Sequence, residues 1–199
     1  MITCFWLEPT KLERVWLRRY VSDSRCSAAK GRIHEARALI GDRRARLDAE
    51  GYHQTPREKY SRHRRWPKTC ACGHRFAAGD VRQVFSLLLY RRTDTRELIT
   101  LDDAPPGAMW DAWWMGRFWK GHDGRSLQVV CPDGRHWAID GPAKNCTLPN
   151  DHEHRCWLRT GTPPRITVSK SGPGRTCAAG GGSIDTGTYH GFLQDGRFT

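Results

Sequence analysis

The sequence predicts an α+β fold: one small domain spanning residues 1–199, with a mostly antiparallel sheet of short hairpins and one helix in the N-terminal third. Three observations predict it. Short runs rich in β-branched and aromatic residues, parted by turn residues, recur from residue 81 onward. One stretch, residues 27–50, sets Ile33, Ala36, Ile40 and Leu47 on a single stripe at helical spacing. Nine tryptophans supplement a thin apolar content of 38%, and each can anchor a core around itself.

Taken in order, residues 1–8 read as a short strand closed by Glu8-Pro9. Residues 12–21 alternate loosely, with Val15, Leu17 and Val21 on one face and Trp16 and Tyr20 on the other, which favours a second strand and also allows a helix. The helix over 27–50 stops at Gly51, although Gly31 and Gly41 weaken its interior. Residues 52–68 have no apolar periodicity and dense positive charge, as expected of a basic arm or linker within the domain. Residues 81–91 and 96–101 form a hairpin across Thr93-Asp94-Thr95. Met109, Trp110, Trp113 and Trp114 fit a short helix after Pro105-Pro106, whose tryptophans would be core. Residues 126–131 and 135–140 flank Pro132-Asp133-Gly134, a hairpin signal, and 155–160 with 165–169 suggest two further strands. The glycine-rich tail from Gly172 to Gly187 precedes a last Asp195-Gly196 turn.

The formal net charge of +12 favours polyanionic partners. Residues 1–68 hold 17 Lys and Arg against 8 Asp and Glu, whereas residues 69–199 hold 16 against 13. Only seven of the 33 basic residues are lysine, and such arginine-heavy usage also arises in a GC-rich genome without selection for binding. Within the arm, Arg57, Lys59, Arg62, Arg64, Arg65 and Lys68 interleave with aromatic Trp66, the combination that holds single-stranded nucleic acid through phosphate contacts and stacking. A solvated linker has the same composition.

No run approaches the ~20 apolar residues of a membrane span, and Met1–Leu7 has no basic leader, so neither membrane insertion nor secretion is expected. Cytoplasmic cysteines stay reduced, so the eight here point to metal ligation or plain burial rather than disulfides.

Cys70-Ala71-Cys72-Gly73-His74 places two thiols on a tight turn, half of a tetrahedral zinc site, though a usual knuckle has two residues between its cysteines. Cys146, His152, His154 and Cys156 crowd a second segment. The expected centre is one structural zinc site joining the two segments through Cys70, Cys72 and Cys156, with Cys146 or His154 as fourth ligand. Cys177 and His190 are reserve ligands, and Cys4, Cys26 and Cys131 read as ordinary small residues. Zinc is the expected cofactor, and no small-molecule cofactor is indicated.

No catalytic motif is present. Asp151, His152, Glu153 and His154 allow a metal-dependent hydrolase as an alternative, but no His-Glu-x-x-His pattern supports it. Gly180-Gly181-Gly182-Ser183 lacks the lysine and the strand–helix context of a phosphate loop.

The stretches ITCFWLEPT, APPGAMWDAWWM, NCTLPNDHEHRCW and TCAAGGGSIDTGTYHGFLQDG resemble small proteins of tailed bacteriophages and prophages that have no assigned function. The likeness covers much of residues 1–21 and 69–199. It transfers no site residue. It implies a phage source and a setting in the host cytoplasm or the virion. The expected function is therefore a zinc-binding, nucleic-acid-binding accessory protein of phage origin, with a phage structural or interaction protein as the other non-enzymatic reading.

Overall fold

The computed structural model describes residues 1–22, 24–29, 33–54, 60–151, 154–170, 177 and 183–199. It overturns the α+β expectation. The chain is almost entirely β, and no helix among the described residues reaches seven residues. The chain divides into two compact units, a basic unit of residues 9–90 and a C-terminal unit of residues 1–8 and 91–199. Both divisions fall within strands, β2 (Phe5–Tyr20) and β4 (Val81–Arg92).

In the basic unit the expected helix is a strand, β3 (Glu35–Arg44), antiparallel to β2. The reason lies at Gly41. The register slips by one residue where Val15 faces Gly41 but Trp16 faces Leu39, a bulge that leaves Ile40 as the extra residue. Gly41 has φ of 138°, a conformation that side-chain-bearing residues rarely adopt. Before the bulge Arg37 and Leu39 face solvent, and after it Asp42 and Arg44 do. The shift breaks the period-two pattern, and the remaining apolar residues happen to fall at helical spacing.

Strand β2 shows the alternation expected of it, with Glu13, Val15, Leu17 and Arg19 buried. Val15 and Leu17 join Val84 of β4 and the aromatic pair Tyr60 and Trp66 in one core. On the other face Trp16 stacks on Phe85 at 5.3 Å. Below Val15 the core turns polar. Glu13 is fully buried and accepts hydrogen bonds from Arg43 Nε at 2.5 Å and from His53, while Arg43 also donates to Tyr60 Oη at 2.8 Å.

The C-terminal unit is built from short strands. β6 (Ala108–Asp111) runs parallel to the start of β2 and antiparallel to β7 (Leu127–Val130), which pairs with β8 (His136–Ala138) around the expected Pro132-Asp133-Gly134 turn. β9 (Trp157–Thr162) and β10 (Arg165–Lys170) are the two further strands expected there, and they pair antiparallel. β5 (Leu98–Ile99) is a short strand, β11 (Ile184–Asp185) pairs with β12 (His190–Gly191), and β1 (Ile2–Thr3) is completed by the last hairpin of the chain, β13 (Leu193–Gln194) and β14 (Arg197–Phe198). The core gathers Met109, Leu127, Val129, Ile166, Ile184 and Leu193. The expected helix at 109–114 is absent: Trp110 is buried on β6, but Trp113 and Trp114 lie beyond its end, well exposed and edge to face at 5.9 Å. Their spacing reflected a strand leaving the core, not one helical face.

Arg159 ties this unit's loops. Its buried guanidinium binds Asp123 at 2.5 Å and Asp140 at 2.8 Å. No room remains for a side chain at Gly121, whose Cβ would lie 2.5 Å from the Asp140 carboxylate.

Burial acts to raise the pKa of Glu13, but hydrogen bonds from His53, Ser86 and Arg43 outweigh it and hold the carboxyl below its usual range. A lowered carboxylate stabilises the fold fully above its unfolded value of about 4.3 and loses that contribution as pH falls through the folded value. Glu13→Ala, which strands Arg43, should lower unfolding free energy by about 3 kcal/mol at neutral pH. In urea titrations the gap between variant and wild type should narrow below pH 4; a gap unchanged at pH 3 would remove Glu13 from the account.

Candidate metal centres

In each unit three thiols and one imidazole converge, with their donor atoms all within 4.8 Å of one another. The group in the basic unit is Cys26, His34, Cys70 and Cys72; the group in the C-terminal unit is Cys146, His154, Cys156 and Cys177. The sequence-predicted ligands are thus divided. Cys70 and Cys72 belong to one group, and Cys146, His154 and Cys156 belong to the other.

The connection from β2 to β3 brings in Cys26 and His34. Its ends are clamped where the Val21 amide donates to the His34 carbonyl at 3.1 Å, leaving His34 directly ahead of β3. Residues 69–75 form a miniature hairpin, closed by the Thr69–Arg75 bridge and by the Cys70 amide donating to the His74 carbonyl at 2.9 Å. Gly73 turns it, with φ of 88° and its amide donating to the Cys70 carbonyl. Buried Arg19 of β2 holds the hairpin's base, donating to the carbonyls of Pro67 and Ala77 on its two sides. The sulfurs of Cys26 and Cys70 are 3.6 Å apart, and Cys72 Sγ lies 3.2 Å from His34 Nδ1. The His34 ring stacks on His74 at 4.2 Å, which fixes its orientation.

The Cys72 amide, donating to the Cys70 sulfur, is the main reason the Cys70 thiol is brought down from 9.0 to about 6. Burial opposes this, and His34, the Glu35 amide and Cys26 reinforce it. A hairpin that lets a backbone amide point at a cysteine sulfur is prepared to hold a thiolate, the form that ligates metal.

In the C-terminal unit the loop from Gly141 to Cys156 folds back on itself in successive tight turns, Cys146 amide to Ala143 carbonyl and His154 amide to Asp151 carbonyl, each at 3.1 Å. Cys156 stands directly ahead of β9, as His34 stands ahead of β3. Its sulfur lies 3.6 Å from His154 Nε2 and 3.7 Å from Cys177 Sγ, and accepts from the Ala143 amide at 3.4 Å. Cys156, Cys177 and His154 are all buried. Burial above all, with Cys146 and Cys177 adding to it, pushes the Cys156 thiol up to about 12. A thiol so crowded resists ionisation unless a cation joins it, and among the described residues His154 Nδ1 is buried without a hydrogen-bond partner. Each group offers four protein donors, the soft S₃N set of a closed metal site.

Two residues read as ordinary or reserve cysteines are members: Cys26 and Cys177. His34 was not singled out at all. A signal existed, since Cys26 and His34 are separated by seven residues, as are Cys146 and His154. His190 is in neither group and hydrogen-bonds Ser183 at 2.9 Å. His152, Glu153 and residues 180–182 lie outside the described residues.

Of the expected nucleic-acid residues, Arg62, Arg64, Arg65 and Lys68 are exposed, and Arg57 and Lys59 lie outside the described residues. Trp66 is buried in the core, its indole N–H donating to the Tyr60 carbonyl at 2.8 Å, so it offers no free stacking face. No protein-family model matches the chain, nor does any curated protein or solved structure.

Because each group lies within one unit, Cys26→Ser and Cys177→Ser should each lose one bound metal equivalent and keep the other, read by elemental analysis of untagged protein. Retention of both equivalents in either variant would strike that cysteine from the ligand set.

Proposed function

We propose that this chain is a zinc-stabilised nucleic-acid-binding accessory protein, with one structural zinc site in each unit and the basic unit as the nucleic-acid-binding part. The spacing of the donors carries the zinc reading. Tetrahedral zinc with bonds of about 2.3 Å to sulfur and 2.0–2.1 Å to nitrogen requires sulfur–sulfur edges of about 3.8 Å and sulfur–nitrogen edges of about 3.6 Å. Cys26–Cys70 and Cys156–Cys177 are 3.6 and 3.7 Å apart, Cys156–His154 is 3.6 Å and Cys72–His34 is closer at 3.2 Å, with every donor of a group within 4.8 Å of the others. Three thiolates and an imidazole suit zinc, and four protein donors leave no open position for a reacting water, as in sites that stabilise rather than catalyse. Zinc binding on the order of 10 kcal/mol per site would feed into folding, which suits two small cores.

Charge supports the nucleic-acid reading. Residues 9–90 hold 19 of the 33 Lys and Arg but only 8 of the 21 Asp and Glu, a net of +11, while the remaining 117 residues net +1. Arg62, Arg64 and Arg75 are exposed and have no ion pair among the described residues. They flank the hairpin of Cys70 and Cys72, so a metal that stiffens this hairpin would also set the positions of the cations around it. The phage source rests on the resemblance of the quoted segments. The reading places the protein in a reducing cytoplasm, where thiols remain available to metal. Among the described residues no helix is long and apolar enough to cross a membrane.

Untagged protein should contain two zinc equivalents. Anisotropy with labelled single- and double-stranded oligonucleotides should show salt-dependent binding. Arg62→Gln/Arg64→Gln/Arg65→Gln should weaken it at least tenfold and lower the slope of log affinity against log salt by about 2–3, one phosphate contact per arginine. An unchanged slope would exclude this surface; absence of stoichiometric metal would end the zinc reading.

A further inference from the structure

The C-terminal unit contains a second feature that neither metal nor nucleic acid accounts for. A groove of about 820 Å³ is lined by Trp119, Trp137 and Trp157, with Gln128, His136, Lys144 and Asp185 around them. We propose that it is a binding site for a neutral sugar chain.

The indoles are held open to it. Trp137 and Trp157 meet edge to face at 5.5 Å, and each packs one side on the hydrophobic core while remaining half-exposed. Trp119 is seated by Gly141, where a Cβ would lie 2.6 Å from Cζ3 and 2.7 Å from Cε3 of its ring. The glycine removes a side chain so that the indole can lie against the backbone. A groove that needed only filling would not leave three large rings half-exposed around an open volume of this size.

The chemistry of the lining selects the ligand. The face of an indole is electron-rich, and the axial C–H bonds of a sugar ring carry the partial positive charge that lies against it. Hydroxyl groups donate and accept hydrogen bonds, and the lining offers both kinds of partner, an amide in Gln128 and an imidazole in His136 among them. Among the described residues, Lys144 and Asp185 are the only Lys/Arg and Asp/Glu in its lining, and they balance. A polyanion would need an excess of cations, which the basic unit has and this groove lacks. The volume is within the range of small-ligand sites and admits more than one sugar ring.

The wall is continuous with the metal centre. Ala143 and Trp157 pack against the Cys156–Cys177 pair, and the Ala143 amide donates to Cys156 Sγ. The experiment therefore uses the whole 199-residue chain loaded with zinc. A neutral-glycan array identifies the retained sugar, and calorimetry with tryptophan fluorescence measures its affinity. At least one neutral oligosaccharide should bind saturably. Trp119→Ala and Trp137→Phe should weaken it about tenfold or more; the second keeps an aromatic ring on the core. Trp113→Ala, outside the groove, should leave it unchanged. Each variant's zinc content and thermal unfolding are checked first. No glycan retained, or affinity that survives both groove substitutions, overturns the proposal. So does single-stranded oligonucleotide binding that displaces the sugar and falls in the same two variants, because the groove would then be a base-stacking site.

Discussion

The convergence of three thiols and one imidazole, once in each unit, is the constraint on which the rest of this structure depends. Each group gathers residues from connections rather than from strands, and in each a ligand sits directly ahead of a strand: His34 before β3 and Cys156 before β9. A cation at that point would fix where a loop ends and a strand begins. Without one, the thiols of Cys146, Cys156 and Cys177 gain little from proximity, since neutral thiols are weak donors and weak acceptors.

The two centres are built differently. The one in the basic unit points a backbone amide at Cys70 and leaves Cys72 and His34 half-exposed, so its thiolate is prepared in advance. The one in the C-terminal unit buries three of its four donors and holds the Cys156 thiol protonated in the absence of a cation. The Cys70 thiol is therefore the easier of the two to ionise, although both groups offer the same donor set. Polar burial elsewhere follows the same economy. Glu13 with Arg43 and His53, and Arg159 with Asp123 and Asp140, are charged groups enclosed only where partners complete them.

Division into two units also separates the chemistry. Nearly all the excess positive charge belongs to residues 9–90, whereas the tryptophan groove belongs to the nearly neutral remainder. Residues 1–68 alone carry a net charge of +9, from 17 Lys and Arg against 8 Asp and Glu. The boundaries of the units sharpen it, because Arg75 and Arg82 belong with the arginines before them and Arg91 does not.

What the sequence determined by itself was local. The Pro132-Asp133-Gly134 hairpin, the strands β9 and β10 and the alternation of β2 were legible, because turn chemistry and period-two burial act between near neighbours. So was the crowding of soft donors at Cys70 and Cys72 and at Cys146, His154 and Cys156, which the structure places in two Cys/His groups that could hold a metal ion. Tertiary structure alone decided the partners. Cys26 joins Cys70 across forty-four positions and Cys177 joins Cys156 across twenty-one, distances over which spacing carries no directional information. It also decided β3, where a single bulged residue at Ile40 shifts the inward face, so a strand pattern reads as a helix until the partner strand supplies the register.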